Sequence, residues 1–119
     1  MQKVNLEEKF KLIKDYWSPA KVGELNGQGV KIAKFKGEFP KHQHDNEDEL
    51  FLVVKGQCFL ELDEKTIELN EGELFIVQKG TTHRPYAIEE AHVLMFEPMS
   101  TLNTGNTENE YTKRALKTI

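Results

Sequence analysis

Three histidines and one glutamate have the residue types and the spacing of a metal site. His42 and His44 are separated by a single residue, Glu49 follows soon after, and His83 comes later in the chain. Side chains two positions apart project to the same side of a strand but point away from each other on a helix. Three imidazoles and one carboxylate suit a divalent transition metal and leave coordination positions free for substrate or water. The pattern therefore predicts a metal site on a β scaffold.

The choice of carboxylate depends on the register of the strand that follows the histidine pair. Glu47 and Asp48 lie beside Glu49, and a turn of different shape would present either of them. We favour Glu49 because Phe51 and Val53 would share its inward parity on a strand. A register shifted by one residue would instead turn inward Leu50, Leu52 and Val54.

Most of the chain has the pattern of short strands and turns. Strand-like runs rich in apolar residues are separated by glycine-containing or charged turns, and they cover residues 21–25, 30–35, 49–54, 58–62, 67–69, 74–77 and 92–96. Seven or eight short strands without a helix among them predict an antiparallel sandwich or barrel. We assign the barrel domain to residues 20–99.

The two ends of the chain differ from this pattern. Residues 1–19 predict an amphipathic helix that Asn5 caps and that stops at residues 18–19, with an apolar stripe formed by Leu6, Phe10, Ile13 and Trp17. This stripe would pack on the outside of the barrel or contribute to a dimer interface. The polar tail, residues 100–119, is compatible with an edge strand, a short helix over 112–117 or a mobile segment.

Composition limits the class of protein. With 119 residues the chain has room for one domain, and a net charge of −4 with interleaved acids and bases offers no basic stripe for nucleic acid. A single cysteine, Cys58, excludes an internal disulfide and is expected to be a small buried apolar residue. Without an apolar signal core or a membrane-length stretch, we expect a cytoplasmic protein with no membrane or nucleic-acid partner. Exposed sheet edges favour a homodimer.

Glycines frame the metal-ligand candidates in a recognisable order: Gly37 before the histidine pair, Gly56 after Glu49, then Gly72 and Gly80 before His83. This frame resembles the two-part signature of the cupin superfamily, and the resemblance covers approximately residues 30–98. It implies an all-β fold, an antiparallel jelly-roll β-barrel, preceded here by the short N-terminal α-helix. It also implies that His42, His44, Glu49 and His83 are the metal ligands. The departures from the signature are Gln78 in place of proline, Ala87 in place of asparagine, and the closer spacing of Gly37.

Cupins include dioxygenases, isomerases, lyases and non-catalytic binding proteins, so the resemblance leaves the reaction open. We expect a small metalloenzyme that acts on an oxygen-rich metabolite, a sugar derivative or an organic acid, chelated at one divalent metal (Fe, Mn, Zn, Ni or Cu). The alternatives are a non-catalytic module that binds or senses a small molecule, such as a sugar, in the same pocket, and a structural metal beside an oligomer interface. No catalytic residue beyond the ligands can be assigned.

The pocket around the metal can be outlined from the neighbouring positions. Its candidate lining residues are Phe51, Val53, Arg84, Tyr86 and Met95. Lys34 or Lys36 could supply a positive charge to an acidic ligand. His92 has no partner at ligand spacing and is expected to be an ordinary histidine.

Overall fold

Eight strands and one short helix make up the computed structural model, which describes residues 1–119. The helix is α1 (Leu6–Phe10). The strands are β1 (Ala20–Leu25), β2 (Gln28–Glu38), β3 (Glu49–Lys55), β4 (Gln57–Glu61), β5 (Thr66–Asn70), β6 (Leu74–Val77), β7 (Arg84–Pro98) and β8 (Lys117–Thr118). The prediction of a mainly β protein is therefore confirmed.

The long strand β7 connects the sheet. On one edge it pairs with β2 along nearly its whole length, and on the other edge its first residues pair with β4 and its later residues with β3. The hydrogen-bonded order is β5-β4-β7-β2-β1-β8, with β6 joined to β3. Every pair is antiparallel except β1 with β8, so the sheet is mixed, and its pairing does not close into a complete barrel. The jelly-roll connectivity stays a prediction.

Alternation along the strands separates two apolar clusters. In β2, Ala33 and Phe35 face the inner cluster, whereas Ile32 faces the opposite side, as period-two geometry requires. The inner cluster consists of Trp17, Ala33, Phe35, Phe39, Phe51, Val53, Cys58, Leu60, Leu69, Val77, Ala87, Ala91, Val93 and Met95. The smaller outer cluster consists of Phe10, Ile13, Val22 and Ile32. The functional candidates described below lie on the inner side.

The N-terminal helix is much shorter than its apolar stripe predicts. Asn5 caps it as expected, accepting a hydrogen bond from the backbone N–H of Glu8, but the helix ends at Phe10. Beyond that point Trp17 donates its backbone N–H to the Lys34 carbonyl, and its ring stacks on Phe35 in the inner cluster. Burying this ring outweighs continuation of a short helix, because isolated helical turns contribute little stability. The prediction of one helical stripe on the outside was therefore wrong for Trp17.

The C-terminal tail returns to the sheet as an edge strand, one of the three possibilities that its sequence allowed. Lys117 and Thr118 of β8 pair in parallel with Ala20 and Lys21 of β1. Between β7 and β8 the chain forms successive turns, tied together by side-chain hydrogen bonds such as that from Asn103 to the Tyr111 carbonyl.

The opposite edge strand, β6, pairs only with β3 and exposes Leu74 and Ile76 by about half of their surface. An exposed apolar edge of this kind is compatible with self-association, and the homodimer stays a prediction. The structure's single helix is too short and too polar to span a membrane. The cytoplasmic location likewise stays a prediction.

Candidate metal centre

Two of the candidate ligands are held opposite each other by the backbone. The N–H of His42 donates to the carbonyl of His83 at 2.9 Å, and the N–H of His83 donates to the carbonyl of His42 at 2.8 Å. This reciprocal pair forms an isolated antiparallel bridge between the segment that follows β2 and the segment that precedes β7. The two imidazole rings lie 4.4 Å apart, centroid to centroid. The backbone thus brings together two histidines that are far apart in sequence.

The other two candidates are His44, in the segment between β2 and β3, and Glu49, at the start of β3. His44 is buried, and Glu49 is the first residue of the strand, with 4% of its surface exposed. Phe51 and Val53 are buried on the same side of β3, while Leu50 and Leu52 are only partly buried. The register is therefore the one in which Glu49 faces the histidines.

The neighbouring acidic residues have other environments. Asp48 is exposed, and its carboxylate accepts the backbone N–H of Lys79 at 2.8 Å, which ties the start of β3 to the turn after β6. The Glu47 carboxylate lies 3.9 Å from Nδ1 of His44, on the side of that ring away from Glu49. Neither residue belongs to the group of four donors.

Backbone carbonyls fix the orientation of two of the rings. Nδ1 of His42 lies 2.8 Å from the Pro40 carbonyl, and Nδ1 of His83 lies 2.9 Å from the Thr81 carbonyl. A carbonyl oxygen can only accept, so each Nδ1 carries the proton, and the lone pair of each neutral ring is on Nε2. Metal-binding histidines are commonly oriented by such an outer hydrogen bond.

The spacing of the donor atoms fits a single ion. Oε1 of Glu49 lies 3.4 Å from Nε2 of His44 and 3.3 Å from Nε2 of His83, and the donor atoms of all four residues lie within 4.8 Å of one another. Ligand atoms each about 2.1 Å from a shared metal would be about 3.0 to 4.2 Å apart. Oε1 of Glu49 and Nε2 of both these histidines are buried without a hydrogen-bond partner. Buried polar atoms without a partner are costly, and a metal ion would satisfy them.

Burial also sets the protonation of His42. Desolvation, reinforced by the neighbouring His83, lowers the pKa of His42 to about 4. The imidazole is therefore neutral at physiological pH, which is the form that binds a metal. A metal would therefore not have to displace a proton from Nε2 of His42 in order to bind.

A second carboxyl group, that of Glu97, borders the donor group. It lies on the inner face of β7, and the β3–β7 register, which pairs Leu50 with Phe96, places it directly across from Glu49. Burial first, and the charge of Glu49 second, raise the pKa of Glu97 well above its usual value. Burial would also raise the pKa of Glu49, but Glu97, His44 and His83 hold it well below its usual value. The pair therefore keeps its negative charge on Glu49, the candidate ligand.

Lys31 completes this polar layer. Its ammonium group donates to Oε1 of Glu97 at 2.9 Å and to the Thr101 carbonyl at 3.4 Å, and the side chains of Lys31 and Glu97 are almost fully buried. Oε2 of Glu97 and Oγ1 of Thr101 remain without a partner. Lys31 and Glu97 were not among the residues predicted from the sequence. The available signal was strand parity, because Glu97 follows Met95 by two positions and Lys31 precedes Ala33 by two.

A small cavity adjoins the donors. It measures about 30 Å³, and its wall includes His42, Glu49 and Glu97 together with the rings of Trp17, Phe35, Phe39 and Phe51. Of the predicted pocket residues, Phe51 and Met95 line this cavity. Val53 lies deeper in the inner cluster.

The structure does not bring the predicted pocket residues Arg84 and Tyr86 to the cavity. Pro85 lines it instead, and the residues on either side of Pro85 face outward because side chains alternate along β7. Arg84 forms ion pairs with Glu38 and Glu61, and Tyr86 stacks on Phe59.

The remaining residues considered in the sequence lie away from the donors. Lys34 borders a surface groove with His92, whose ring stacks on Phe10, and Lys36 is exposed. Cys58 is buried in the inner cluster, and burial raises the pKa of its thiol to about 12.

The C-terminal tail covers the donor group from outside. Thr104 is fully buried, and the backbone N–H of Asn106 donates to the Gln43 carbonyl at 3.0 Å. Gly105 has φ +62°, and a Cβ at this position would lie 2.1 Å from the Gln43 carbonyl oxygen and 3.2 Å from the His42 ring. Only glycine allows the tail to approach the histidine segment this closely. The polar sequence of the tail gave no indication of this contact.

Comparison with known proteins identifies relatives of the same architecture. The Cupin domain family matches residues 30–97. The uncharacterized protein YdbB of Bacillus subtilis (strain 168) is 33% identical over 73 residues, covering 60% of this chain and 65% of that protein. The chain thus spans slightly less than two thirds of this curated relative.

Two solved structures are similar over most of the chain. A cupin-2 domain containing protein from Shewanella frigidimarina is 36% identical with a TM-score of 0.79, and the match covers 80% of this chain and 93% of that one. Protein NMB1881 from Neisseria meningitidis is 24% identical with a TM-score of 0.76, covering 82% and 99% respectively, and supports the fold alone. With the matched family segment extending over more than half of its length, the chain belongs to the cupin family.

Proposed function

We propose that this protein binds one divalent transition metal through His42, His44, Glu49 and His83 and acts on an oxygen-rich small metabolite at that metal. The observation that supports the proposal is the cluster of four buried donors, whose nitrogen and oxygen atoms converge within 4.8 Å and include orphaned polar atoms. Burying such groups costs stability unless something binds them.

A bound ion would be a Lewis acid toward a ligand oxygen and would lower the pKa of bound water. Three neutral imidazoles and one carboxylate cancel only one of its two positive charges. The chain's own contribution is to orient these donors and to keep His42 neutral and Glu49 charged. Pro40 and Thr81 hold two of the rings, and Glu97 faces the liganding carboxylate of Glu49.

The size of the cavity limits what can reach the donors. A volume of about 30 Å³ has room for about two water molecules. A chelating metabolite of more than a few atoms would require neighbouring side chains or the tail around Gly105 to move. The apolar rings around the cavity would exclude water from a bound ligand.

A non-catalytic binding or sensing role is the second candidate. It is favoured by the scarcity of groups that could act as a general acid or base beside the cavity. The titratable side chains in its wall are His42, Glu49 and Glu97. The first two are proposed ligands, and the third is hydrogen-bonded to Lys31. Turnover of a chelating metabolite by the metal-loaded protein would separate the two roles, because a sensor returns its ligand unchanged.

Elemental analysis of protein purified without chelator tests the metal site. We expect about one divalent ion per chain, and the double substitution His42→Ala/His44→Ala should abolish binding because it removes two of the four donors. Full occupancy in the folded double variant would contradict the assignment.

Glu49→Gln and Asp48→Asn form a matched pair for the carboxylate. Glu49→Gln replaces a charged ligand with a neutral amide and should weaken metal binding by about tenfold or more. Asp48→Asn keeps an oxygen that can accept the Lys79 N–H, so its metal affinity should stay near wild type. The opposite ranking of the two variants would require a different ligand.

A further inference from the structure

A second cavity shares part of its wall with the cavity beside the donors. It measures about 110 Å³, and the two cavities share Pro19, Glu97 and Asn103 in their walls. The outer cavity lies between β1 and the C-terminal tail, which contribute Lys21 and Lys113 respectively. The wall between the outer cavity and the donor group therefore contains Glu97, which is paired with Lys31.

This outer cavity is strongly basic in a protein of net negative charge. Four of its ten lining residues are basic, namely Lys21, Lys31, Lys113 and Arg114, and one, Glu97, is acidic. The net charge of the whole chain is −4. Lys31 is held by Glu97 at 2.9 Å, and the three outer cations add their charge on the solvent side of this pair. Locally concentrated charge of one sign attracts ligands of the opposite sign.

Exposed acids weaken this potential without cancelling it. Lys21 lies 3.8 Å from Glu24, and Arg114 is hydrogen-bonded to Glu108. Ion pairs between exposed side chains are weak and readily exchanged for a better partner. Lys113 is exposed and has no acidic partner within ion-pair distance.

Buried polar groups with unused capacity line the inner end of the cavity. Lys31 is 2% exposed and uses two hydrogen bonds of the three that an ammonium group can donate. Oγ1 of Thr101 and Oε2 of Glu97 are buried without partners. A ligand carboxylate could accept hydrogen bonds from the Lys31 ammonium group and the Thr101 hydroxyl group.

The cavity on the other side of Phe39 offers a contrast. It contains Arg84 and Lys41, but Arg84 is held by both Glu38 and Glu61, and Lys41 lies 3.6 Å from Asp63. Its charges are paired, and its polar residues are not deeply buried. It offers no comparable attraction for an anion.

From these observations we propose that the ligand of the metal site is a small hydroxycarboxylate, and that its carboxylate binds in the basic cavity formed by Lys21, Lys31, Lys113 and Arg114. This assignment rests on the proposed metal function and specifies the chemical class of its ligand. The metal would take the hydroxyl-bearing end, while the basic cavity takes the charged end.

The test compares acids with alcohols of the same skeleton on metal-loaded protein. The probes are glycolate, malate and tartrate, paired with ethylene glycol, 1,2,4-butanetriol and threitol, and their dissociation constants are measured by calorimetry. The variant Lys21→Gln/Lys113→Gln/Arg114→Gln removes the outer cations, whereas Lys3→Gln/Lys11→Gln/Lys65→Gln removes the same charge from exposed positions elsewhere. Lys31 is left intact because its removal would strand a buried carboxyl group.

We expect at least one acid to bind more tightly than the alcohol of the same skeleton. The cavity variant should raise the dissociation constant of that acid by about tenfold, since each exposed charge contributes modestly. The control variant should change the dissociation constant of the acid by less than about twofold, and neither variant should change the dissociation constants of the alcohols. Equal acid affinity in the cavity and control variants would overturn the proposal. Inorganic phosphate that binds the cavity as tightly as the best acid would overturn the assignment to a carboxylate. Metal content measured on the same samples reports separately on the proposed metal function.

Discussion

Acid should destabilise the metal-free protein through His42. The pKa of this side chain falls from an ordinary 6.5 to about 4, chiefly because the ring is buried and secondarily because His83 lies beside it. Between these two pH values His42 is protonated in the unfolded chain but not in the folded chain, so the free energy of unfolding decreases as pH is lowered. One pKa unit corresponds to about 1.4 kcal/mol, so the full effect is about 3 kcal/mol, of which about 2 kcal/mol is lost between pH 7 and 5.

Urea unfolding in the presence of a chelator measures this effect, with the fluorescence of the single tryptophan, Trp17, as the signal. His42→Gln removes the titrating ring and should lose about 2 kcal/mol less than wild type between pH 7 and 5. Glu49 and Glu97 contribute to both proteins, so the comparison largely removes their effect. His92→Gln, a substitution on the outer face beside Glu90, controls for the loss of one histidine. An identical loss of stability in His42→Gln and wild type would refute the reasoning.

Two further predictions follow from the close packing of the chain. Gly105→Ala should lower the free energy of unfolding by about 2 kcal/mol or more, because it combines left-handed backbone strain with a clash against the Gln43 carbonyl. Gly27→Ala is the control, because Gly27 has φ +79° but lies in open space, and it should lower the free energy of unfolding by only about 1 kcal/mol in the same urea assay. Equal costs would mean that the tail does not pack on Gln43 as described. Cys58 should not react with a thiol reagent at pH 8 until urea unfolds the protein, because burial raises its pKa to about 12, and rapid reaction of the native protein would contradict this burial.

The β segments and the shared face of Glu49, Phe51 and Val53 followed from local regularities, whereas the place of His83 among the candidate donors was implied by the resemblance to cupins. Alternation predicted that Glu49, Phe51 and Val53 share a face, and the structure has them buried together. The spacing of His42 and His44 indicated a common side, and His83 joins them through a backbone bridge. Short-range periodicity carries this information because a strand has only two faces.

What the sequence left out depends on long-range packing. The apolar stripe from Leu6 to Trp17 has helical spacing, but the Trp17 ring gains more by stacking on Phe35 than by continuing a helix. The full length of β7 was missed because the exposed, charged residues Glu89 and Glu90 interrupt its apolar pattern. Glu97 was overlooked because a carboxylate on an inner face is unusual without a partner, and its partner Lys31 lies on a different strand.

The dependence of the donor group on β7 has a consequence for the order in which the protein is made. His42, His44 and Glu49 leave the ribosome well before His83, and the bridge that opposes His42 to His83 also needs β7 beside β2 and β3. Until residues up to Pro98 are synthesised, the growing chain carries three of the four donors but lacks His83 and the bridge that positions His42. Metal loading, as proposed, would therefore follow folding, and selection of the correct ion would be made by a finished cavity whose shape the backbone has already determined.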